Sequence, residues 1–323
     1  MGDSWRQLRK ICVLELLTAR RVRSFCAARE DEAAVLLRAV AAASSSSSSP
    51  AAKAVDLGGR ISAPSLPDLF PSSRLAMLVS RRPGQIKRHS AKMMAFMDTI
   101  ILEHQLQKVD EDDKEDVLLR IQRDGNETSA TVLQWAMSEL MRNPRVKEKA
   151  QDEVQRVLKG QDRVTEECLS RLHYLHLVIK ETLRLHPPVP LLLPRQCRSP
   201  CQISGFDIPV GATVFVNAWA IGRDPTRWDA PEEFMPERFE CKDVDFKGTD
   251  FEYIPFGAGR RMCPGSTFGL ANVDLVLASM LYHFDWKLPY ETMPEDLDVT
   301  EVWGVTTRRK ADLLLVPVIR VPV

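Results

Sequence analysis

Residues 256–265 carry the most specific chemical pattern in the chain, Phe-Gly-Ala-Gly-Arg-Arg-Met-Cys-Pro-Gly. The glycines Gly257 and Gly259 permit a tight turn with positive backbone dihedrals. Cys263 follows, directly before a proline that suits the first position of a helix. A thiol at a helix N-terminus meets unpaired N–H groups and the positive end of the helix dipole, which both favour the thiolate. The pattern therefore predicts a thiolate available to a ligand, and the alternative is a buried cysteine that caps a helix.

Two neighbours of Cys263 suit a flat, anionic ligand. Gly265 has no side chain, so a flat cofactor or its ligand sulfur can approach the backbone closely. Arg261 supplies a fixed cation for an anionic group nearby.

A second pattern pairs Glu181 with Arg184, three residues later on the same face of a predicted helix. Taken alone, such a pair is usually a surface ion pair that contributes little to stability. Here it is followed by the sequence His-Pro-Pro at 186–188, and by Pro-Glu-Arg-Phe at 236–239.

The spacing Phe-x-x-Gly-x-Arg-x-Cys-x-Gly at 256–265 resembles the haem-binding loop of cytochrome P-450 monooxygenases, and every fixed position matches. The resemblance implies that Cys263 ligates the iron of haem b and that Arg261 contacts a haem propionate. It also implies that Phe256, Gly257 and Gly265 shape the cofactor-binding loop. A thiolate ligand pushes electron density onto iron and favours cleavage of the O–O bond.

Glu181 and Arg184 also resemble this family's Glu-x-x-Arg pair. By that resemblance Arg238, in the Pro-Glu-Arg-Phe sequence, joins the pair and fixes the core around the haem. The role implied for these three residues is structural.

Weaker matches involve three further residues. Trp5 and Arg9 resemble the family's Trp-x-x-x-Arg helix, which implies contact with the propionates. Arg195, in Leu-Pro-Arg, matches another propionate-binding position. Each arginine taken alone could equally be an ordinary surface residue.

Glu127 and Thr128 resemble the acid–alcohol pair of the helix that crosses the distal face of the haem, where the pair relays protons to dioxygen. A bare Glu-Thr is also a common helix-start dipeptide. The family pattern places a small-residue Ala/Gly-Gly step just upstream, whereas here residues 122–126 read Gln-Arg-Asp-Gly-Asn. Asn126 suits an N-cap. We therefore expect the front half of this helix to be missing.

The fold predicted around these motifs is mainly α with a small β-sheet region, the cytochrome P-450 fold. The chain is expected to form one truncated domain, residues 1–323. Its parts are a partial N-terminal region at 1–125, with a low-complexity Ala/Ser loop at 41–50, and a haem-binding part at 126–323. The individual predictions are two helices within 4–40, helices starting near Glu127 and at Pro144, helices at 172–185 and 264–284, a hairpin from 202–208 and 213–217, and a C-terminal strand at 313–321.

Composition excludes several classes of function. The 323 residues are 44% hydrophobic, enough for a sizeable core, and 44 basic residues balance 44 acidic ones. This balance argues against nucleic acid as a partner. No stretch of about 18 uncharged apolar residues occurs, and Met1–Arg6 is neither a signal peptide nor an anchor. By its own sequence the chain is expected to be soluble or peripheral.

The seven scattered cysteines do not form the dense, even set of a secreted disulfide framework. Cys197 and Cys201 have no second pair to complete a zinc site, and we interpret them as structural residues.

The C-terminal sequence resembles plant microsomal members of the family, which hydroxylate specialised metabolites. This implies a small hydrophobic substrate, O2, and an NADPH-dependent reductase at the cytosolic face of the endoplasmic reticulum. Membrane association is implied by the resemblance only, because the family's N-terminal anchor would precede Trp5. Residues 189–192 and 302–305 are expected to contact the substrate. Two alternatives are a haem-binding truncated isoform without catalytic turnover and a product that does not fold.

Overall fold

The computed structural model describes residues 9–10, 13–14, 17–45, 54–57, 128–242, 244–289, 292–302 and 306–323. Most of their regular structure is helical. The helices are α1 (Ala19–Ser24), α2 (Cys26–Ser45), α3 at 128–142, α4 (Pro144–Val157), α5 (Glu166–Leu169), α6 (His173–Leu185), α7 (Ala218–Ile221), α8 (Arg238–Cys241) and α9 (Ser266–His283), with 3-10 turns at Gly259–Arg261 and Pro294–Asp296.

The strands form small antiparallel sheets. One has three strands in the order β1-β9-β6, and the others are the pairs β2-β5, β3-β4 and β7-β8. The strands are β1 (Val55–Asp56), β2 (Arg195–Gln196), β3 (Cys201–Ile203), β4 (Phe206–Ile208), β5 (Thr213–Val214), β6 (Phe284–Lys287), β7 (Glu301–Val302), β8 (Arg308–Arg309) and β9 (Leu314–Ile319). The prediction of a mainly α fold with a small β region is confirmed.

Helix α9 is the centre of the core and packs against α2, α4, α5 and α6. Residues 273–283 carry the apolar side chains that fill this space. They include Val273, Leu275, Leu277, Met280 and Leu281, each at most 2% exposed. Because α9 begins just after Cys263, the same helix that organises the core also positions the predicted ligand loop.

Side chains from neighbouring elements complete the helix ends. The N-terminus of α6 has no cap of its own, and the carboxylate of Glu153 on α4 accepts hydrogen bonds from Tyr174 N at 2.9 Å and Leu175 N at 3.0 Å. A carboxylate at this position satisfies unpaired N–H groups and complements the helix dipole. Contacts of this kind hold α4 and α6 in a fixed relation around the core.

Three local predictions were wrong in detail. Helix α2 runs to Ser45, so the first half of the predicted loop 41–50 is helical. Helix α9 begins at Ser266 with Gly265 at its N-cap, two residues after the predicted start.

The predicted hairpin also pairs differently. It closes within 201–208, where β3 pairs with β4, and β5 pairs instead with β2. Ser204 and Gly205 have φ values of 50° and 85°, the two positive dihedrals that a tight two-residue turn requires. The turn at these two residues therefore sets the pairing.

Candidate functional site

The loop before α9 is closed by its own backbone. Cys263 N donates to Phe256 O at 2.9 Å, and Met262 N donates to Gly259 O at 3.1 Å. Gly257 and Gly259 adopt φ values of 72° and 66°, which side chains rarely allow. The two glycines thus make the tight turn expected of them, and the turn brings Cys263 beside the start of α9.

Aromatic contacts connect this loop to helix α6. The ring of Phe256 meets that of Phe246 edge-on at 5.4 Å, and Phe246 meets Tyr253 at 6.2 Å. The hydroxyl of Tyr253 donates to Lys180 O at 2.8 Å. The position of the Cys263 loop therefore depends on the helix that carries Glu181 and Arg184.

Sequence reasoning missed Gly248, which packs directly under the loop. A Cβ atom there would lie 3.3 Å from Ala258 Cα and 3.4 Å from Met262 Sδ, and the residue has φ of 85°. Only glycine allows this close approach without strain or displacement. Its signal in the sequence was a single glycine in a polar loop, which points to a turn but not to its contact.

The environment of the Cys263 thiol differs from the sequence-based expectation. Burial raises the pKa of the Cys263 thiol, while hydrogen bonds from the backbone of Gly265 and Ser266 and the charge of Arg9 lower it. The N–H groups at the start of the helix do favour the thiolate, as expected, but desolvation of the sulfur is the larger effect. At neutral pH the free thiol is therefore protonated, and binding of a metal cation would displace that proton.

Several arginines lie around the loop that carries the thiol. Burial lowers the pKa of Arg261, and repulsion from Arg195, Arg198 and Arg260 lowers it further. Arg9 donates from Nη1 to Met262 O at 2.9 Å. The structure thus brings Arg261, Arg195 and Arg9 to the predicted site. Cations at such close range would be stabilised by an anionic ligand.

The surface beside the thiol fits a flat cofactor. Cys263 is exposed as a whole residue, although neighbouring atoms desolvate its sulfur. A Cβ on Gly259 would meet no atom within 4 Å, and one on Gly257 would meet Leu192 Cδ1 at 3.6 Å. A Cβ on Gly265 would lie 3.9 Å from Cys263 Sγ. A soft sulfur ligand, flanking cations and an adjoining apolar side chain match the chemistry of an iron porphyrin with carboxylate substituents.

Glu181, Arg184 and Arg238 form one buried cluster. Arg184 donates from Nε and Nη2 to the two carboxylate oxygens of Glu181, each at 2.8 Å, and Arg238 Nε donates to Glu181 Oε1 at 2.9 Å. Arg184 also donates to the carbonyl groups of Gly222 at 2.6 Å and Pro231 at 2.7 Å. These bonds tie the segment 222–238 to α6.

The described part of α3 begins at Thr128, which is half-buried. A Cβ on Gly269 of α9 would lie 3.6 Å from Ser129 Oγ, and Gly269 N donates to Gly265 O at 2.8 Å. The start of α3 therefore lies against the first turn of α9. The predicted site residues Trp5 and Glu127, and residues 303–305, lie outside the described residues.

Sequence reasoning also missed a second buried polar cluster. His186, at the end of α6, lies 2.9 Å from Glu139 Oε1 through Nε2 and 3.1 Å from Glu301 Oε1 through Nδ1. A sequence-level signal existed only for His186, which follows the Glu-x-x-Arg helix. The carboxylates are 47 and 115 residues away from it in the chain.

None of the described helices has the length and apolar composition that a membrane span requires.

Comparison with known proteins identifies the family. The cytochrome P-450 family model matches residues 71–316. The chain belongs to the cytochrome P-450 family. It is a P-450 monooxygenase of the plant type, and the cofactor that its family implies is a haem iron.

Three relatives illustrate the similarity. Desmethyl-deoxy-podophyllotoxin synthase of Sinopodophyllum hexandrum is 42% identical over 377 residues, covering 98% of this chain and 74% of the relative. Premnaspirodiene oxygenase of Hyoscyamus muticus is 43% identical over 372 residues, with the same coverage. Costunolide synthase of Tanacetum parthenium is 39% identical over 369 residues, again covering 98% of this chain and 74% of the relative.

These alignments are longer than the 323 residues of this P-450. The relatives therefore carry internal segments that have no counterpart here. This agrees with the upstream mismatch at Glu127, although the alignment lengths do not locate the missing segments.

Proposed function

We propose that Cys263 ligates the iron of haem b, and that this P-450 oxidises a small hydrophobic specialised metabolite. The observation that carries the proposal is the exposed Cys263 at the start of α9, with Arg261, Arg195 and Arg9 gathered around its loop. When bound, the haem supplies the activation of O2 and the insertion of one oxygen atom into the substrate, while the second leaves as water. The protein supplies the ligand, the cations and the wall of the pocket.

The charges assign roles to individual side chains. Arg261 and Arg195 repel one another at close range, so two propionates would neutralise both. Arg9 donates a hydrogen bond to the carbonyl group of Met262, the residue before Cys263. The positive charge of Arg9 favours the thiolate. Phe256, Gly257 and Gly265 set the shape of the loop that faces the porphyrin.

For the distal side, we retain Glu127 and Thr128 as the pair that carries protons. Thr128 is helical and half-buried, and its neighbour Ser129 lies against α9. The hydroxyl can accept and donate a hydrogen bond at once, which a proton relay requires.

The substrate class follows from the relatives, whose names refer to costunolide, premnaspirodiene and desmethyl-deoxy-podophyllotoxin. Leu192 faces the loop, and its neighbours Leu191 and Leu193 are exposed apolar side chains, as is Val302 on β7. Apolar walls of this kind suit a hydrophobic molecule. By family resemblance the electrons come from an NADPH-dependent reductase, and the site of action is the cytosolic face of the endoplasmic reticulum membrane.

We also infer that residues 1–323 form one domain. Strand β1 pairs with β9 through Val55 and Leu315, and Arg9 contacts the loop of Cys263. Both contacts join the N-terminal part to the haem-binding part.

The test is the absorption spectrum of the purified chain, supplied with haem, reduced, and exposed to carbon monoxide. We expect the red-shifted Soret band of thiolate ligation. The band should be lost in Cys263→Ser and retained in Cys241→Ser, which removes another exposed thiol. A band typical of neutral ligation, or no haem uptake by the parent chain, would disprove the proposal.

Turnover is tested separately with an NADPH-dependent reductase and premnaspirodiene as the probe. Oxygen-dependent formation of an oxidised product supports the monooxygenase. A thiolate spectrum with no oxidised product from premnaspirodiene or from a panel of other small hydrophobic compounds would favour a haem-binding protein without turnover.

A further inference from the structure

His186 is buried between two carboxylates that come from different parts of the chain. Its Nε2 lies 2.9 Å from Glu139 Oε1 on α3, and its Nδ1 lies 3.1 Å from Glu301 Oε1 on β7. The exposed fractions of the side chains are 6% for His186, 4% for Glu139 and 13% for Glu301. The indole of Trp135 stacks on the imidazole, with the ring centres 3.9 Å apart and the planes at 1°.

The two contacts of His186 set a condition on the protons of this cluster. Each of the two N···O contacts is a hydrogen bond only if one proton lies between its atoms. A neutral imidazole brings one proton, and two ionised carboxylates bring none. Both contacts are hydrogen bonds at the same time when the three groups share two protons, and their net charge is then −1.

The second oxygens of the two carboxylates are also paired. The second oxygen of Glu139 accepts a hydrogen bond from Asn143 Nδ2 at 3.2 Å, and that of Glu301 accepts one from Trp219 Nε1 at 3.2 Å. A buried network with satisfied members holds its parts in one arrangement.

Cations surround the negative charge from three elements. Arg142 Nη1 on α3 lies 3.9 Å from Glu139 Oε1, Arg309 on β8 is attracted by Glu139, and Arg223 after α7 is attracted by Glu301. Their charges offset the single negative charge of the cluster.

The cluster meets the segments that are expected to contact the substrate. Thr307 N donates to Pro188 O at 2.9 Å, and Trp219 N donates to Pro190 O at 3.1 Å. Trp135 Nε1 donates to Thr307 O at 3.1 Å. The segment 188–192 and the β7–β8 hairpin are thereby joined to each other and to α3.

We propose that His186 is a positioning residue: its bridge to Glu139 and Glu301 fixes the segment 188–192 and the β7–β8 hairpin against α3. Through Leu192 and Val302 the bridge sets the wall of the substrate pocket. The effect on the substrate-facing wall rests on the proposed function, whereas the hydrogen-bonded bridge does not.

The variants are placed at Glu301, because removal of His186 would leave two buried carboxylates facing each other and could prevent folding. Glu301→Ala breaks the link to the hairpin and leaves the His186–Glu139 contact in place. Glu301→Gln keeps both hydrogen bonds, with its amide oxygen on Trp219 and its NH2 group on a neutral His186, and removes one proton. Glu295→Ala, at an exposed acidic residue of the same region, is the matched control.

The rate of hydrogen–deuterium exchange at the backbone amides of residues 297–302 and 306–309 measures directly whether the bridge holds the hairpin. In Glu301→Ala we expect exchange of the hairpin to accelerate about tenfold or more, the factor for one lost charge-assisted hydrogen bond. Glu301→Gln should stay within about threefold of the parent, as should Glu295→Ala. Equal exchange in Glu301→Ala and the parent would overturn the bridge.

Spectral titration of the haem-loaded protein with two azoles gives their binding affinities, which test the position of the pocket wall. Both bind iron, but 1-phenylimidazole also contacts the wall and imidazole does not. In Glu301→Ala we expect about tenfold weaker binding of 1-phenylimidazole, with imidazole within about twofold. Equal loss for both azoles, or for neither, would overturn the positioning role. If the proposed function is wrong, the parent protein lacks the thiolate spectrum. Hydrogen–deuterium exchange still tests the bridge in that case, because it requires no haem.

Discussion

The carboxylate of Glu181 and the guanidinium of Arg184 face each other through two parallel hydrogen bonds of 2.8 Å, with both side chains fully buried. Arg184 uses its other donors on the carbonyl groups of Gly222, Pro231 and Glu233. The pair is thus the centre of a network that holds a long irregular segment, and not the surface ion pair that its spacing alone would suggest.

Arg184→Lys should destabilise the fold, because an ammonium group cannot reproduce five donors in a planar fork. We expect a loss of about 3–5 kcal/mol in the free energy of unfolding, since buried carbonyl and carboxylate groups lose their partners. Urea unfolding of the haem-loaded protein measures this loss in the free energy of unfolding. The matched control is Arg145→Lys, since Arg145 is exposed and lies 3.8 Å from Glu237. Equal stability of the two variants would contradict this account.

Asp274 on α9 should make stability depend on pH. Burial, with a smaller effect of Glu166, raises the pKa of Asp274 to about 7, and His176 Nε2 lies 3.7 Å away. Because the pKa in the folded state is above the ordinary value of 3.8, folding favours the protonated acid. The contribution of this group is fully present below pH of about 4, declines as the pH rises, and is lost above about 7.

Asp274→Asn should therefore match the parent near pH 4 and exceed its stability above pH of about 7, by roughly 2–4 kcal/mol. Thermal unfolding across this range measures the difference. Asp152→Asn, at an exposed site, should follow the parent at every pH. If Asp274→Asn also follows the parent at every pH, the carboxyl group has an ordinary pKa.

Arg261→Gln should weaken the retention of haem. Loss of one charge-assisted hydrogen bond to a propionate is expected to accelerate haem transfer to an excess of apomyoglobin by about tenfold or more. Its neighbour Arg260 is exposed, so Arg260→Gln should change the rate by less than about threefold. Equal rates for the two variants would remove Arg261 from the cofactor site.

Gly248→Ala tests the close packing beneath the cysteine loop. The new Cβ would lie 3.3 Å from Ala258 Cα, in a backbone conformation with φ of 85°. Gly160→Ala is the control, since Gly160 has φ of 81° and no atom within 4 Å of the new Cβ. Both variants acquire backbone strain of about 1 kcal/mol or more.

Only Gly248→Ala should also displace the loop. We expect a larger fall in melting temperature than for Gly160→Ala, together with lower haem content. The same fall in both variants, with normal haem content, would show that the loop accommodates the methyl group.

Features that depend only on neighbouring residues could be predicted from the amino-acid sequence. The turn at Gly257 and Gly259 and the helix after Cys263 follow from local dihedral preferences, and α4 follows from Pro144 and the spacing of Val146, Ala150 and Val154. The pairing of β3 with β4 was local as well, although the turn at Ser204 and Gly205 was overlooked.

Tertiary structure decided the features that depend on distant residues. The dipole at Cys263 is local, but the burial that outweighs it is produced by the whole fold. The approach of Gly248 to Ala258 and the meeting of His186 with Glu139 and Glu301 join points far apart in the chain. Periodicity and capping carry no information about such pairs, because desolvation and contact are set by packing rather than by sequence spacing.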